Sequence, residues 1–329
     1  MKILIVNNSV IPVQLYGGTE RVIWGLGKEL VKLGHEVTFL VKTGSYADFA
    51  KVIHMDESKS IVDQITEDYD VVHFNFRPEG LEKLRMPYIV TIHGNSNDQQ
   101  EMDQNTVFVS RNHAARYNST SYVYNGLDWS EYTTPDLKNK RQYFHFLGNA
   151  AWRVKNVAGA IDVIKKTKTE RLKVLGGVRF NFKMGIRLTF SPKVSFAGMV
   201  GGREKFELLN GSKGLIFPVK WHEPFGLAII ESLYYGCPVF GTPYGSLPEL
   251  VHQGVGFLSN KSDELAEAVL KADQYEREEC HAYAVEEFNA RKMALAYLKK
   301  YELVMDGKPL NSTPPKLIEV QTKKWLEWQ

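Results

Sequence analysis

Two glutamates, Glu223 and Glu231, stand eight positions apart in a stretch that is otherwise largely apolar, and Pro224-Phe225-Gly226 follows the first directly. At about 3.6 residues per turn that spacing puts both carboxylates on roughly one helical face. Proline at a first helical position costs no hydrogen bond, so Pro224 would open the helix and leave Glu223 beside its cap. The free backbone N–H groups of a helix start form an anion site, most naturally for phosphate. The chemistry on offer is hydroxyl groups taken by carboxylates next to phosphate taken by backbone. A ligand with a diphosphate between two hydroxyl-rich ends suits it. The flanking apolar runs argue that these acids are packed rather than solvated, and a buried carboxylate needs a partner.

Other residues offer complementary chemistry. The stretch 148–155, GNAAWRVK, places Arg153 and Lys155 in a loop between a strand and a helix, where cations can meet phosphate oxygens. Gly17-Gly18 precedes the first helix, where missing side chains let the backbone approach a ligand. His73 and His93 fall at strand ends, on the side where doubly wound sheets form their sites; His93 follows its strand directly and is the stronger candidate. Each feature also has a plain structural reading: surface acids, a solvated basic turn, a loose glycine loop, core histidines.

A framework that could hold these residues is visible in the hydrophobic pattern. A strand at 2–7, a helix at 19–33 stopped by Gly34 and a strand at 35–41 make one βαβ unit. Apolar runs at 71–74, 88–92, 106–109 and 122–124 extend it, and Asn125-Gly126 marks a turn. The polar stretch 129–142 reads as a linker. A second series follows, with strands at 143–147, 172–175, 194–197, 214–217 and 238–240, helices at 156–166, 204–209 and 263–270, and a helical pattern from 277 to about 305. The fold class is therefore α/β: two facing Rossmann-like domains with parallel sheets, spanning 1–140 and 141–305, and a tail at 306–329.

Composition bounds the function. The 329 residues suffice for two cores, and a net charge of +3 is too small to argue for nucleic acid. No apolar run is long enough to span a membrane, and the start, MKILIVNN, reads as a strand rather than a signal peptide, so a cytoplasmic chain is expected. Cys237 and Cys280 are expected to be reduced thiols, and no zinc spacing occurs. The G-x-G-x-x-G spacing is missing and no acid closes the second strand, which argues against a nicotinamide dinucleotide.

The stretch 223–239, E-P-F-G-L-A-I-I-E-S-L-Y-Y-G-C-P-V, resembles the E-x7-E signature of the retaining nucleotide-sugar glycosyltransferases of the GT-B fold. That family, which includes sucrose synthase-like and bacterial mannosyl- and glucosyltransferases, usually shows E-x-F-G followed by E-A-x-A-x-G-x-P-V. In order along the chain, Gly17-Gly18, T-x-H-G at 91–94, N-G-x-D at 125–128 (with Asn125) and G-T-P-Y-G-S-L-P-E at 241–249 are similar to its other motifs, so the resemblance runs from Met1 to about Tyr301. It implies a metal-independent, retaining transfer of a hexose from a nucleoside diphosphate sugar to a glycan, lipid-linked glycan or small glycoside, with no cofactor. Glu231 would hold the nucleotide's ribose and Glu223 the donor sugar, while Phe225, Gly226 and Leu227 would give backbone N–H groups to sugar and phosphate. Gly17 and Gly18 would approach the diphosphate. His93 would bond the sugar's C6 hydroxyl and, through its carbonyl, help stabilise the developing positive charge. Arg153 and Lys155 would neutralise the leaving diphosphate, where the family usually has an arginine directly after the strand-end glycine; here that place holds Asn149.

Partners implied are a sugar nucleotide and a carbohydrate or lipid-linked acceptor. The tail, with Trp325 and Trp328, could make a peripheral contact at the inner membrane surface, although packing back on the first domain is the preferred expectation. The alternatives are a sugar-nucleotide-binding partner without turnover, and an epimerase or a sugar phosphorylase on the same architecture. A phosphorylase would need a lysine for pyridoxal phosphate, which no motif singles out.

Overall fold

The computed structural model describes residues 1–13, 17–66, 68–182 and 184–329, so residues 14–16 of the expected first loop lie outside the described residues. The described chain forms two compact units. One comprises Met1–Val13, Gly17–Trp129 and Phe288–Gln321; the other includes Ser130–Glu287 and Thr322–Gln329.

In chain order the first unit holds β1 (Lys2–Asn7), α1 (Gly18–Lys32), β2 (Glu36–Val41), β3 (Lys51–His54), β4 (Val71–Phe74), β5 (Tyr88–Ile92), β6 (Thr106–Phe108) and α2 (Arg111–Arg116). The strands pair in parallel in the order β3-β2-β1-β4-β5-β6. After their first residue, β1 and β2 are buried at every position, as expected of parallel strands covered on both faces. Helix α1 lies so close to β2 that a Cβ on Gly27 would sit 2.3 Å from the Phe39 ring, so glycine there sets the helix–sheet distance.

The second unit continues with β7 (Tyr143–Leu147), α3 (Val157–Lys166), β8 (Leu172–Leu175), β9 (Phe180–Asn181), β10 (Arg187–Leu188), β11 (Val194–Phe196), α4 (Gly202–Asn210), β12 (Ser212–Phe217), α5 (Leu227–Tyr234), β13 (Val239–Gly241), α6 (Leu247–Leu250), β14 (Gly256–Leu258), α7 (Ser262–Leu270) and α8 (Arg277–Glu287). Its main sheet, again parallel, runs β11-β8-β7-β12-β13-β14, and β9 with β10 makes a separate antiparallel hairpin. Numbered within each six-stranded sheet, the two share one strand order, 3-2-1-4-5-6. The order reverses between β1 and β4 in one and between β7 and β12 in the other, and doubly wound sheets bind ligands beyond the strand ends at such reversals. In the core, His145 of β7 bonds Ser212 Oγ at 2.6 Å and Ser232 Oγ at 2.8 Å, so a fully buried imidazole has both nitrogens satisfied.

The expected α/β architecture with two parallel sheets is present, while several expected details differ. The boundary expected at 140 lies inside the second unit, which begins at Ser130. The helical pattern expected from 277 to about 305 is divided into α8 and α9 (Ala290–Met305) at Phe288 and Asn289; the Asn289 side chain caps α9 by accepting from Lys292 N at 2.7 Å. Helix α9 packs on α1 within the first unit. The stretch expected to be a strand at 122–124 makes only a bridge from Tyr122 to Phe108. The tail packs on the first unit as far as Gln321, with Leu317 buried in a cluster with Phe108, Ala114 and Tyr117 and with Lys316 N donating to Tyr117 O at 2.9 Å. Thr322–Gln329 belongs to the second unit instead, where Leu326 N donates to Lys220 O and Gln329 N to Asn260 O, each at 2.9 Å. No described helix is long and apolar enough to cross a membrane.

Candidate functional site

In the second unit the loops after β7 and β12 meet at the strand-order reversal. Lys155, at the end of the first loop, donates from Nζ to Glu223 Oε2 at 2.6 Å, and Trp221 Nε1 donates to the same oxygen at 2.8 Å. The Lys155 and Glu223 side chains are only 12% and 6% exposed, so this is a buried pair, and Nζ also lies 5.1 Å from the Trp221 ring centre and 5.2 Å from that of Phe217.

The Glu223 loop is held by backbone contacts. Its carbonyl accepts from Ser246 N at 2.9 Å, and Ser246 Oγ donates to Phe225 O at 2.6 Å. Gly245 turns at φ +63°, and a Cβ there would stand 2.2 Å from Glu223 N, so only glycine lets the two segments touch. Pro224 does not open the helix. The chain turns through Gly226 at φ +87°, and α5 starts at Leu227, so Glu223 precedes the helix by four positions and Glu231 lies in its second turn. The left-handed turn at Gly226 leads into α5, where Ile229 N already donates to Gly226 O at 2.9 Å and the N–H groups of Leu227 and Ala228 precede any helical carbonyl that could take them.

Glu231 has its own setting. Tyr132 OH donates to its Oε1 at 2.6 Å, and Lys205 of α4 forms an ion pair with the same oxygen, with both charged side chains under 10% exposed. Arg153, expected to meet the diphosphate, and Asn149, at the place of the family's usual arginine, have other partners here. Arg153 is exposed, its guanidinium 5.8 Å from the centre of the Trp325 ring, and Asn149 Oδ1 accepts from Ala151 N at 3.0 Å within its own turn. Trp325 also receives Lys220, 4.6 Å from its centre.

In the first unit a cleft of about 320 Å³ opens beyond β1, β4 and β5, lined among others by Asn7, Ser9, Thr19, Glu20, Asn75 and His93. Asn75 Nδ2 donates to Val6 O at 3.3 Å, which turns its Oδ1 toward His93; His93 Nε2–H donates to that oxygen at 3.0 Å, leaving Nδ1 as an acceptor. Burial pushes the His93 imidazole down to about 4, so it is neutral near pH 7. Gly17 caps α1 and Gly18 is its first residue; a Cβ on Gly17 would stand 2.6 Å from Val13 and 2.9 Å from the Glu20 carboxylate. His73 is fully buried, bonding Tyr301 OH and Thr91 Oγ1, each at 2.8 Å, and Asn125 is buried just before Gly126, whose Cβ would stand 2.2 Å from Asn289 O.

Thus the structure brings Lys155 to Glu223 and places Phe225, Gly226 and Leu227 at one helix start, while Arg153 lies over Trp325 and Asn149 bonds within its own turn. Sequence reading missed Lys205, Tyr132, Trp221 and Asn75. For Lys205 a signal existed: it sits one turn before Leu208 and Leu209 on an amphipathic helix, on the face that should be apolar.

A family model described as glycosyl transferases group 1 matches residues 141–273. A probable sucrose-phosphate synthase of Thermosipho melanesiensis is 32% identical over 117 residues, covering 33% of this chain and 28% of that protein. The chain thus spans less than a third of that curated relative's length. The crystal structure of AviGT4, a glycosyltransferase involved in avilamycin A biosynthesis, superposes with a TM-score of 0.74 at 22% identity over 93% of this chain and 98% of that one. Anabaena HepE in complex with UDP-glucose superposes with a TM-score of 0.63 at 16% identity, over 92% and 99%. Residues 141–273 therefore match the group 1 glycosyl transferases, on a chain whose fold is that of the GT-B glycosyltransferases.

Proposed function

We propose that the protein moves a hexose from a nucleoside diphosphate sugar to a carbohydrate or lipid-linked acceptor, with retention and without a metal. The observation that carries this reading is the Lys155–Glu223 pair, buried beside the start of α5 at the strand-order reversal of the unit that matches the family. A donor with a diphosphate needs a cation and free N–H groups at one place, and a sugar needs an acid within reach of its hydroxyls.

In this reading Lys155 trades its bond to Glu223 for the diphosphate, and the freed Glu223 takes donor-sugar hydroxyls. Phe225, Gly226 and Leu227 supply backbone N–H groups. Glu231, oriented by Lys205 and Tyr132, takes the ribose. Departure of the nucleotide leaves an oxocarbenium-like sugar and a growing negative charge on the diphosphate, which prepositioned cations stabilise most. Arg153 would have to leave Trp325 to assist. In the first unit, neutral His93 would bond the sugar's C6 hydroxyl, and Gly17 and Gly18 would approach the diphosphate. That the solved relative HepE holds UDP-glucose supports a sugar-nucleotide donor.

A second reading, a binding partner without turnover, draws on Asn149, which stands in the family's arginine place and accepts from Ala151 N, and on Arg153, which lies over Trp325. A thermal-shift and calorimetric panel of UDP, GDP, ADP and dTDP sugars tests the donor, with stabilisation of about 2.7 kcal/mol expected at a hundred times Kd. NMR of the product's anomeric centre tests retention, and unchanged rates with EDTA test metal independence. No stabilisation by any of the four nucleotides would overturn the proposal.

A further inference from the structure

The β9–β10 hairpin is amphipathic in the inverted sense. Every second side chain from Val178 to Phe190 is apolar, namely Val178, Phe180, Phe182, Met184, Ile186, Leu188 and Phe190, and each is between 47% and 76% exposed. Among the described polar side chains between them, Arg179, Asn181, Arg187 and Thr189 bond within the hairpin. Asn181 and Thr189 are buried, with Asn181 Nδ2 donating to Gly185 O at 3.0 Å, Arg179 to Thr189 O at 3.0 Å and Arg187 to Val178 O at 2.8 Å. Strand alternation normally puts apolar residues in the core, so a whole apolar face on the outside marks an interaction surface.

Charge says what the surface meets. The stretch 171–203 holds seven lysines and arginines and no aspartate or glutamate, against a net charge of only +3 for the whole chain. Two copies meeting through this face would bring like charges together, which disfavours self-association. A folded protein partner would need hydrogen-bonding groups to fix its register, and Arg179, Asn181, Arg187 and Thr189 are engaged within the hairpin. An anionic bilayer asks for neither: lipid accepts projecting Phe, Ile and Leu side chains without shape matching, and its headgroups attract the surrounding cations. We infer that the β9–β10 hairpin is a docking element for an anionic phospholipid surface, with the face from Val178 to Phe190 entering the interface. The Trp325 ring, by contrast, is engaged with Arg153 and Lys220 within the second unit. The inference stands apart from sugar transfer, and a chain without transferase activity would still show it.

Flotation of the full chain with vesicles tests it. The wild type should float with phosphatidylcholine vesicles carrying phosphatidylglycerol, much less with phosphatidylcholine alone, and less as salt rises. Phe182→Ser with Phe190→Ser, at two exposed sites, should keep the melting temperature and lose about tenfold or more of the bound fraction. No flotation of the wild type, equal flotation on neutral vesicles, or undiminished flotation of the double variant would each overturn the inference. So would a wild-type dimer in light scattering that the double variant loses, which would assign the face to a second copy.

Discussion

Lys155 and Glu223 form a buried ion pair that joins the loop after β7 to the loop after β12 at the point where the second sheet's strand order reverses. A pair so placed has two consequences. It holds the two loops in one arrangement before any ligand arrives, and it keeps a cation and an acid withdrawn from water where a charged ligand can exchange with each.

Removing one partner should therefore cost stability and function together. Lys155→Met leaves Glu223 buried without its cation, and a loss of about 3–5 kcal/mol is expected for such a break. Lys155→Met with Glu223→Leu should recover most of that in a thermal melt while donor turnover stays lost. Recovery of turnover in the double variant would show that the pair is only structural.

The Glu231 setting should show in affinity. Glu231→Gln weakens a charged hydrogen bond, normally about 1.5–3 kcal/mol, so the Kd of the preferred nucleoside diphosphate should rise by about tenfold to a hundredfold. Tyr132→Phe, which removes one of the contacts orienting that carboxylate, should cost less. Calorimetric titration reads both, and an unchanged Kd for Glu231→Gln would remove Glu231 from the nucleotide site.

Much of this framework is legible in the sequence because β1, β4, β5, β7 and β8 are buried on both faces, and their bounds coincide with short apolar runs. Strand β3, exposed at both ends, and β14, only three residues long, have no such run. Pro224 looks like a helix opener, but the left-handed turn at Gly226 depends on tertiary contact with Ser246 and Gly245, which local pattern does not carry. Both acids stood out by spacing. Their partners did not, since Lys155 is 68 positions from Glu223 and Lys205 is 26 from Glu231.

Acid should destabilise the fold earlier than carboxylate titration alone would. Burial lowers His93 to about 4 and His73, His113 and His145 to about 3, from an ordinary value of 6.5. The unfolded chain thus takes up protons first as pH falls, so the stability these residues allow is complete above 6.5 and is lost progressively toward 4 and below. Melting temperatures should fall between about pH 6.5 and 5. A flat profile over that window would contradict the burial of these rings.

Gly245 offers a backbone test of the Glu223 loop. Gly245→Ala would set a Cβ against Glu223 N and should cost about 1–3 kcal/mol through overpacking, with weakened donor binding. Gly307→Ala has a similar positive φ but nothing within 4 Å, so only backbone strain is expected, with donor binding unchanged. Equal effects on binding from both substitutions would show that the loop contact is unimportant.

The most direct test is release of nucleoside diphosphate from a sugar nucleotide, followed in wild type, Glu223→Ala and Lys155→Ala at saturating donor. The wild type should turn over one donor of a UDP, GDP, ADP and dTDP panel, and both variants should lose about a hundredfold or more of that rate. Tight nucleotide binding with no release from any donor or acceptor offered, or full release in both variants, would contradict it.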